Sequence, residues 1–309
     1  MRIGLTGGAS SIDKMIAQAE QAEADGFSSL WYASTVAGDP LVAMALAGRA
    51  TSTIELGTAV LQTYPCHPML QANRTAAAAN AMGRPGFTLG IGPSHGSLIT
   101  DVYGLSYDHP GRSTEEYLRI ITALLRGEDV DFEGHDWTTR SAGRMTPLAH
   151  PVPVLLSALS PRLLRVAGQY AEGAVLWMAT EKVIESHVAP RINAAADDAG
   201  RPEPRIVAGL PVAAHDDIGE ARSAAAATAT VYAGMRNYQR ILEVGGLSDA
   251  AEAAIVGGEA SVRAQLQGLL EAGATDVWAA VFPVGKEKAD RIASLRRTTD
   301  LLRELALEV

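Results

Sequence analysis

Short apolar runs alternate along the whole chain with longer segments in which apolar residues recur at helical spacing. The first unit shows the pattern: Ile3-Gly4-Leu5 predicts a strand, and the next segment has apolar residues at positions 12, 15, 16, 19 and 22. Ser10 and Asp13 predict a capping box at the start of that helix. The full pattern predicts eight strands, at residues 3–5, 28–32, 54–61, 87–91, 154–157, 174–177, 206–212 and 277–281.

The junction from a helix into the next strand repeats three times. Gly26, Gly173 and Gly273 each follow a helical segment rich in alanine and glutamate, and each precedes an apolar run that ends in tryptophan. A glycine in the left-handed conformation is a common helix end, so each glycine is predicted to end one helix before a strand begins. The repeat indicates helix-to-strand units rather than segregated helices and strands.

Eight strands alternating with helices in a single domain, residues 1–309, predict an α/β fold of the (β/α)8 TIM-barrel type. Residues 54–61 show little polar alternation, as expected for a parallel strand buried on both faces. A helical insertion, from Asp216 to about Gly258, is predicted between strands 7 and 8, and a loop with a small hairpin at residues 127–153. A doubly wound open sheet is the rival, because periodicity does not distinguish a closed sheet from an open one. In a barrel, the chemistry lies at the C-terminal ends of the strands.

Composition narrows the function classes. The net charge is −9 and no lysine- or arginine-rich run occurs, which argues against a nucleic-acid surface but leaves room for a local basic pocket. The lone cysteine, Cys66, excludes an internal disulfide framework, and the histidines are not spaced as a metal set, so no metal is expected. The sequence has no signal-peptide pattern and no apolar run near the roughly 20 residues of a membrane span. A cytoplasmic protein without membrane or nucleic-acid partners is expected.

The glycine-rich turn after the fourth strand leaves several interpretations open. Gly90, Gly92 and Gly96 miss the spacing of a Rossmann phosphate loop. Ser94 lies in a Gly-x-Ser-x-Gly pattern directly after a strand, which fits a hydrolase nucleophile elbow, but residues 97–101 are a poor helix start. A cofactor site at the mouth of a barrel and a plain turn remain the other two interpretations.

The start of the fifth helix is a candidate anion site. Ser160 is an N-cap residue and Pro161 occupies the first helical position. Free backbone N–H groups and the positive end of the helix dipole would then face a phosphate, with Arg162 and Arg165 nearby. The alternative is simply a well-capped helix.

With these segments placed, the chain resembles the luciferase-like monooxygenase superfamily, and in particular its bacterial members that use the deazaflavin coenzyme F420. The resemblance covers nearly the whole chain in the family's order. It is carried by residues 26–31 (GFSSLW), 55–61 (ELGTAVL), 67–68 (HP), 87–92 (FTLGIG), 160–168 (SPRLLRVAG), 172–173 (EG) and 273–276 (GATD).

The resemblance implies a (β/α)8 barrel, often dimeric, with the cofactor ring in the barrel mouth against the end of strand 3. There the family often has a non-prolyl cis peptide, which would fall at Ala59-Val60 and press on the ring. The cofactor phosphate would lie between residues 92–96 and the start of helix five. The implied cofactor contacts are Ser34, Ala59, Val60, Gly92, Ser94, His95, Gly96, Ala158, Leu159, Ser160 and Trp177.

The sequence departs from the family at one point that bears on catalysis. Many relatives carry an acidic residue and a histidine just after strand 2, where this chain has Ser34-Thr35. The proton donor must then come from elsewhere, and Tyr64, His67 and His95 are the candidates, unless the substrate needs none.

The resemblance implies hydride transfer between F420 and a small organic substrate in a homodimeric enzyme. The alternatives are an FMN-dependent monooxygenase, an acyl hydrolase that uses Ser94, and a cofactor-binding protein without catalysis.

Overall fold

In the computed structural model, which describes residues 1–34, 38–232 and 234–308, eight parallel strands close into a barrel. Numbered in chain order, the described residues form twelve strands, eight of which make up the barrel: β1 (Ile3–Gly7), β2 (Ser29–Tyr32), β3 (Glu55–Thr58), β4 (Leu61–Gln62), β5 (Phe87–Gly92), β6 (Asp131–Glu133), β7 (Thr138–Arg140), β8 (Val154–Leu156), β9 (Gly173–Trp177), β10 (Arg205–Ala214), β11 (Ile255–Gly257) and β12 (Asp276–Val281). The order around the barrel is β1-β2-β3-β5-β8-β9-β10-β12, and β12 pairs back onto β1. The predicted barrel is therefore confirmed, and the open-sheet alternative is wrong.

Helices surround the barrel. They are α1 (Ile12–Ala24), α2 (Pro40–Ala50), α3 (Pro68–Met82), α4 (Pro110–Leu125), α5 (Pro161–Tyr170), α6 (Glu181–Val183), α7 (Ala189–Asp198), α8 (Ile218–Ala229), α9 (Arg236–Gly245), α10 (Glu259–Glu271) and α11 (Lys288–Leu307). Within the described part of the chain, none of them combines the length and the apolar composition that crossing a membrane requires.

Two helix boundaries differ from the prediction. The capping box at Ser10 and Asp13 is wrong by one residue: Ser11 is the N-cap of α1, and its hydroxyl accepts the N–H of Lys14 at 3.4 Å. Gly26 and Gly273 have the predicted positive φ, +83° and +110°. Gly173 instead begins β9, because the preceding helix has already ended at Tyr170.

Two segments differ from their predicted extent. The single strand expected at residues 54–61 is divided into β3 and β4 around Ala59-Val60, whose peptide bond is cis, as the resemblance implied. The insertion between β10 and β12 contains α8 and α9 but is not wholly helical. Its short strand β11 extends the sheet by pairing with the end of β10.

The polar segment between α4 and β8 forms the predicted hairpin, with β6 and β7 antiparallel. Its turn is held by the carboxylate of Glu116 in α4, which accepts the N–H groups of His135, Asp136 and Trp137 at 2.8–3.0 Å. The hairpin is thereby fixed against one side of the barrel.

A small apolar cluster fills the barrel interior, and charged residues close the barrel at the N-terminal ends of its strands. The inner cluster consists of Trp31, Leu155, Val175, Val207 and Trp278. Space for the two indoles comes from missing side chains on neighbouring strands: a Cβ on Gly57 would lie 2.5 Å from the ring of Trp31, and one on Gly209 would lie 2.0 Å from that of Trp278.

At the N-terminal ends of the strands, four charged residues form a network that we call the basal ion network: Arg2, Glu55, Arg205 and Asp276. Arg205 donates to Glu55 at 2.9 Å and to Asp276 at 2.9 Å, and Arg2 donates to the same two carboxylates. Asp276 is almost fully buried, with 2% of its side chain exposed. The end of the barrel away from the predicted site is thus closed by paired charges.

Candidate functional site

The C-terminal ends of the barrel strands bring distant segments together. We call this end the barrel mouth and define it by residues 59–64, 92–96, 157–160, 177–180 and 280–281. Hydrogen bonds join its parts: Ala59 N–H donates to Tyr32 O at 2.8 Å, and Thr63 N–H donates to Gly92 O at 3.0 Å. Ser157 N–H donates to Ile91 O at 2.8 Å. The cofactor contacts implied by the resemblance fall within these ranges, except for Ser34, which comes just after β2. Thr35 lies outside the described residues.

We call the partly exposed surface of the mouth above the inner cluster the recess. Ala59, Val60, Trp177 and Ala280 pack against that cluster, yet each keeps part of its surface exposed. At Gly92 the strand ends converge so closely that an added Cβ would lie 2.9 Å from Ser157 Cβ and 3.1 Å from Val60 Cγ2. Glycine at this position therefore lets β4, β5 and β8 meet under the recess.

The turn after β5 presents backbone donors. Ser94 has a left-handed φ of +65°, and the Tyr107 hydroxyl donates to its carbonyl at 2.9 Å. Among the described residues, nothing accepts the N–H groups of Ser94, His95 and Gly96. Successive unused N–H groups of this kind form a concave anion-binding site.

The start of α5 lies beside this turn, because β5 and β8 are neighbours in the sheet. The Ser160 hydroxyl accepts the N–H of Leu163 at 3.2 Å, so the predicted N-cap is confirmed. The Arg162 guanidinium, however, pairs with Glu115 at 2.8 Å. The anion site therefore depends on backbone donors more than on that side chain.

The mouth itself carries no formally charged side chain. Within residues 59–64, 92–96, 157–160, 177–180 and 280–281, His95 is the one group that titrates near neutral pH. Burial lowers its pKa below the ordinary 6.5. The recess therefore suits an uncharged reacting group, with charge accommodated at the turn beside it.

The three candidate proton donors occupy different settings. The His67 ring uses both nitrogens: Nδ1 accepts the N–H of Met69 at 3.2 Å, and Nε2 contacts Thr138 O at 3.0 Å. His67 thus caps α3 and ties it to the hairpin. The Tyr64 ring packs at a tilt against that of Tyr107, with centroids 5.1 Å apart, and burial raises the pKa of the Tyr64 hydroxyl.

His95 differs from both. Its ring forms no hydrogen bond with the residues that the structure describes, and it lies 5.9 Å from the ring of Tyr238, between centroids. Both nitrogens are therefore available to a bound molecule. His95 therefore differs from His67, both of whose ring nitrogens have partners.

Residues of the insertion reach the mouth, which the sequence did not predict. Tyr238 of α9 packs against His95, Tyr232 packs against Trp177 at 6.1 Å, and the two tyrosine rings are 4.8 Å apart. The helical spacing of Tyr238, Ile241 and Leu242 signals one buried face of α9. It does not signal what that face contacts.

The hydrolase interpretation lacks its partners. Ser94 follows a strand, but the next element is a short π-helical turn, Leu98–Val102. Within residues 1–34, 38–232 and 234–308, no histidine nitrogen hydrogen-bonds to Ser94 Oγ. The arrangement that would activate a serine nucleophile is absent from the described residues.

Comparison with known proteins identifies relatives that share this architecture. The chain is 29% identical over 248 residues to a 5,10-methylenetetrahydromethanopterin reductase of Methanolobus tindarius, covering 79% of this chain and 74% of the relative. It is 29% identical over 204 residues to an F420-dependent hydroxymycolic acid dehydrogenase of Mycobacterium tuberculosis, covering 61% and 55%.

Among solved structures, the coenzyme F420-dependent tetrahydromethanopterin reductase of Methanopyrus kandleri superposes with a TM-score of 0.78 at 21% identity, over 100% of this chain and 98% of the other. This likeness shows the fold. The family model for luciferase-like monooxygenases matches residues 1–299, almost the entire chain. The chain therefore belongs to the luciferase-like monooxygenase family.

Proposed function

We propose that the protein is an F420-dependent oxidoreductase that transfers a hydride between the deazaflavin and a small organic substrate. The observation that carries the proposal is the uncharged recess of the barrel mouth beside three unused backbone N–H groups. The recess suits a planar redox ring, and the donors suit a phosphate. The activities of relatives such as the mycobacterial F420-dependent dehydrogenase support the choice of F420.

The residues present fit such a cofactor. The N–H groups of Ser94, His95 and Gly96 would hold the phosphate, with the N-terminus of α5 beside them. Ala59, Val60 and Gly92 would lie under the ring. The remaining implied contacts around it are Ser34, Ala158, Leu159, Ser160 and Trp177.

The deazaflavin, when bound, supplies the two-electron redox chemistry. The chain's own residues orient the substrate, exclude water from the recess and move a proton. We assign the proton to His95, because its ring has no competing hydrogen bond, whereas His67 is occupied by α3 and the hairpin. Tyr64 stays a second candidate because its protonated hydroxyl can donate.

The cofactor assignment is tested by titrating the purified protein with F420 and, separately, with FMN while following fluorescence quenching. F420 is expected to bind at least tenfold more tightly than FMN. Ser94→Asp places a negative charge among the proposed phosphate donors and is expected to weaken F420 binding by about tenfold or more. Ser94→Asn is the matched control, since asparagine also tolerates positive φ, and its affinity is expected to stay within about threefold of wild type.

Other outcomes favour the alternatives. Tighter binding of FMN than of F420 would indicate the FMN-dependent monooxygenase. Labelling of Ser94 by a serine-directed phosphonate, with neither cofactor bound, would indicate the hydrolase. Equal F420 affinity of the Asp and Asn variants would contradict the phosphate site.

We also propose that the protein is a homodimer and that one face of α2 and α3 forms the interface. Val42, Leu46 and Leu70 are 51%, 42% and 56% exposed, and the two helices pack side by side, so these apolar side chains are carried on neighbouring elements. Exposed apolar groups of this size are stabilised by burial against a partner. Sedimentation velocity is expected to show a dimer for the wild type and a monomer for Leu46→Glu. A wild-type monomer at micromolar concentration would contradict the proposal.

A further inference from the structure

We infer that Tyr232 and Tyr238, both from the insertion, select an uncharged planar ring as the substrate of this site. The inference rests on the proposed function, because it concerns the molecule that binds at the same mouth. It adds the chemical class of that molecule and the residues that discriminate it.

Five aromatic rings form an unbroken series that runs from the mouth into the barrel interior. In order they are His95, Tyr238, Tyr232, Trp177 and Trp278, with centroid separations of 5.9, 4.8, 6.1 and 5.1 Å. We call this series the aromatic wall. These separations lie in the range at which aromatic rings attract one another in offset or edge-to-face arrangements. The exposed surface of Tyr232 and Trp177 would offer a further planar ring the same kind of contact.

The two tyrosines are the part of the wall that does not belong to the barrel. Tyr238 is 8% exposed although it lies on a surface helix, because its ring is turned towards His95 and Tyr232. Tyr232 and Trp177 keep part of their surface exposed. Within the aromatic wall, the ring of Tyr238 is therefore buried, whereas Tyr232 and Trp177 are accessible from solvent.

Charge is kept away from the wall. The charged residues of α9, which are Arg236, Arg240 and Glu243, are all exposed on its solvent face. The mouth beside the wall contains no lysine, arginine, aspartate or glutamate in the ranges that define it. Once the cofactor phosphate occupies the N–H groups of residues 94–96, a charged group on the bound ring would lose its hydration without gaining a partner, which is costly. The surface thus favours a neutral ring and disfavours its ionised analogue.

The test uses two probes with the same ring system, 2-acetylnaphthalene, which is neutral, and 2-naphthoate, which is charged. Each sample is first saturated with F420, whose phosphate would occupy the N–H groups of residues 94–96. Probe binding to the full-length protein is then followed by quenching of tryptophan fluorescence, since Trp177 and Trp278 belong to the wall. Wild-type protein is expected to bind the ketone at least tenfold more tightly than the carboxylate. Tyr232→Ala and Tyr238→Ala are each expected to weaken ketone binding by about tenfold, whereas Tyr238→Phe, which keeps the ring, stays within about threefold.

The outcomes separate this inference from the proposed function. F420 is titrated into each protein before the probes are added, and near-wild-type F420 affinity in the alanine variants shows that they are folded. Equal affinity of the two probes, or unchanged ketone binding in both folded alanine variants, would overturn the inference while F420 binding upholds the proposed function. Failure of wild-type protein to bind F420 would overturn the proposed function whatever the probes do.

Discussion

His95→Asn is expected to slow hydride transfer at pH 7 by about 10²–10⁴-fold, the usual effect of removing a general acid or base. Asparagine keeps a polar group of similar size but takes up no proton. Single-turnover kinetics, followed by the absorbance of the deazaflavin with a substrate found by screening, measure the loss. His67→Asn is the matched control, because the same change at a histidine that holds α3 and the hairpin leaves the rate within about threefold.

The pH dependence of the reaction rate is a second test of proton transfer by His95. Burial lowers the pKa of His95 below 6.5, so its ring is neutral at pH 7. When the substrate is oxidised, neutral His95 accepts the proton, so the rate rises with pH up to that lowered pKa and is flat above it. In the reverse direction the protonated ring is required, so the rate falls as pH rises through the same pKa. A wild-type profile without this inflection, or one retained in His95→Asn, would contradict the assignment.

Arg205→Met is expected to lower the free energy of unfolding by about 3–5 kcal/mol, because it removes one partner of a buried charge network. The substitution leaves Asp276 buried and removes the less exposed of the two guanidinium groups that bridge Asp276 and Glu55. Arg2→Met is the matched control. Its guanidinium contacts the same carboxylates, but its side chain is 53% exposed, so a loss of at most about 1 kcal/mol is expected.

The contact between Asp276 and Arg205 also predicts how the stability of the fold depends on pH. Burial raises the pKa of Asp276, but Arg205, Thr275 and Arg2 together lower it by more, so that the net pKa lies below the ordinary 3.8. A carboxyl with a depressed pKa stabilises the fold above its unfolded pKa and loses that contribution as pH falls through the folded value. Without Arg205, burial dominates, and the loss begins at higher pH. Chemical denaturation at a series of pH values measures both effects, and equal losses for the two arginine variants would contradict the account.

Much of the fold was predictable because its signals are local. Helical spacing, the cap at Ser160 and the left-handed glycines at Gly26 and Gly273 each depend on a few neighbouring residues. The Ser10 prediction failed by one position because Ser10 and Ser11 have the same chemistry, and the backbone alone decides which one caps the helix. Strand β11 was missed because three residues carry no periodicity, and their pairing with β10 is a tertiary event.

Some residues of the proposed site were likewise predictable from local sequence, and others were not. Residues 92–96 and Ser160 were identified because glycine, serine and proline signal their backbone roles directly. The contribution of Tyr232 and Tyr238 was not predicted, since only folding brings the insertion over the mouth. The occupation of both His67 nitrogens likewise depends on Thr138, 71 residues away. Local chemistry thus indicates the proposed site, and long-range contacts determine which of its side chains have hydrogen-bond partners within the protein.

A crystal structure of the protein with F420 tests the central claim most directly. The account predicts a deazaflavin ring in the recess against Ala59 and Val60, with its phosphate on the N–H groups of Ser94, His95 and Gly96. A cofactor bound elsewhere on the molecule, or a recess that stays unoccupied at saturating F420, would contradict it.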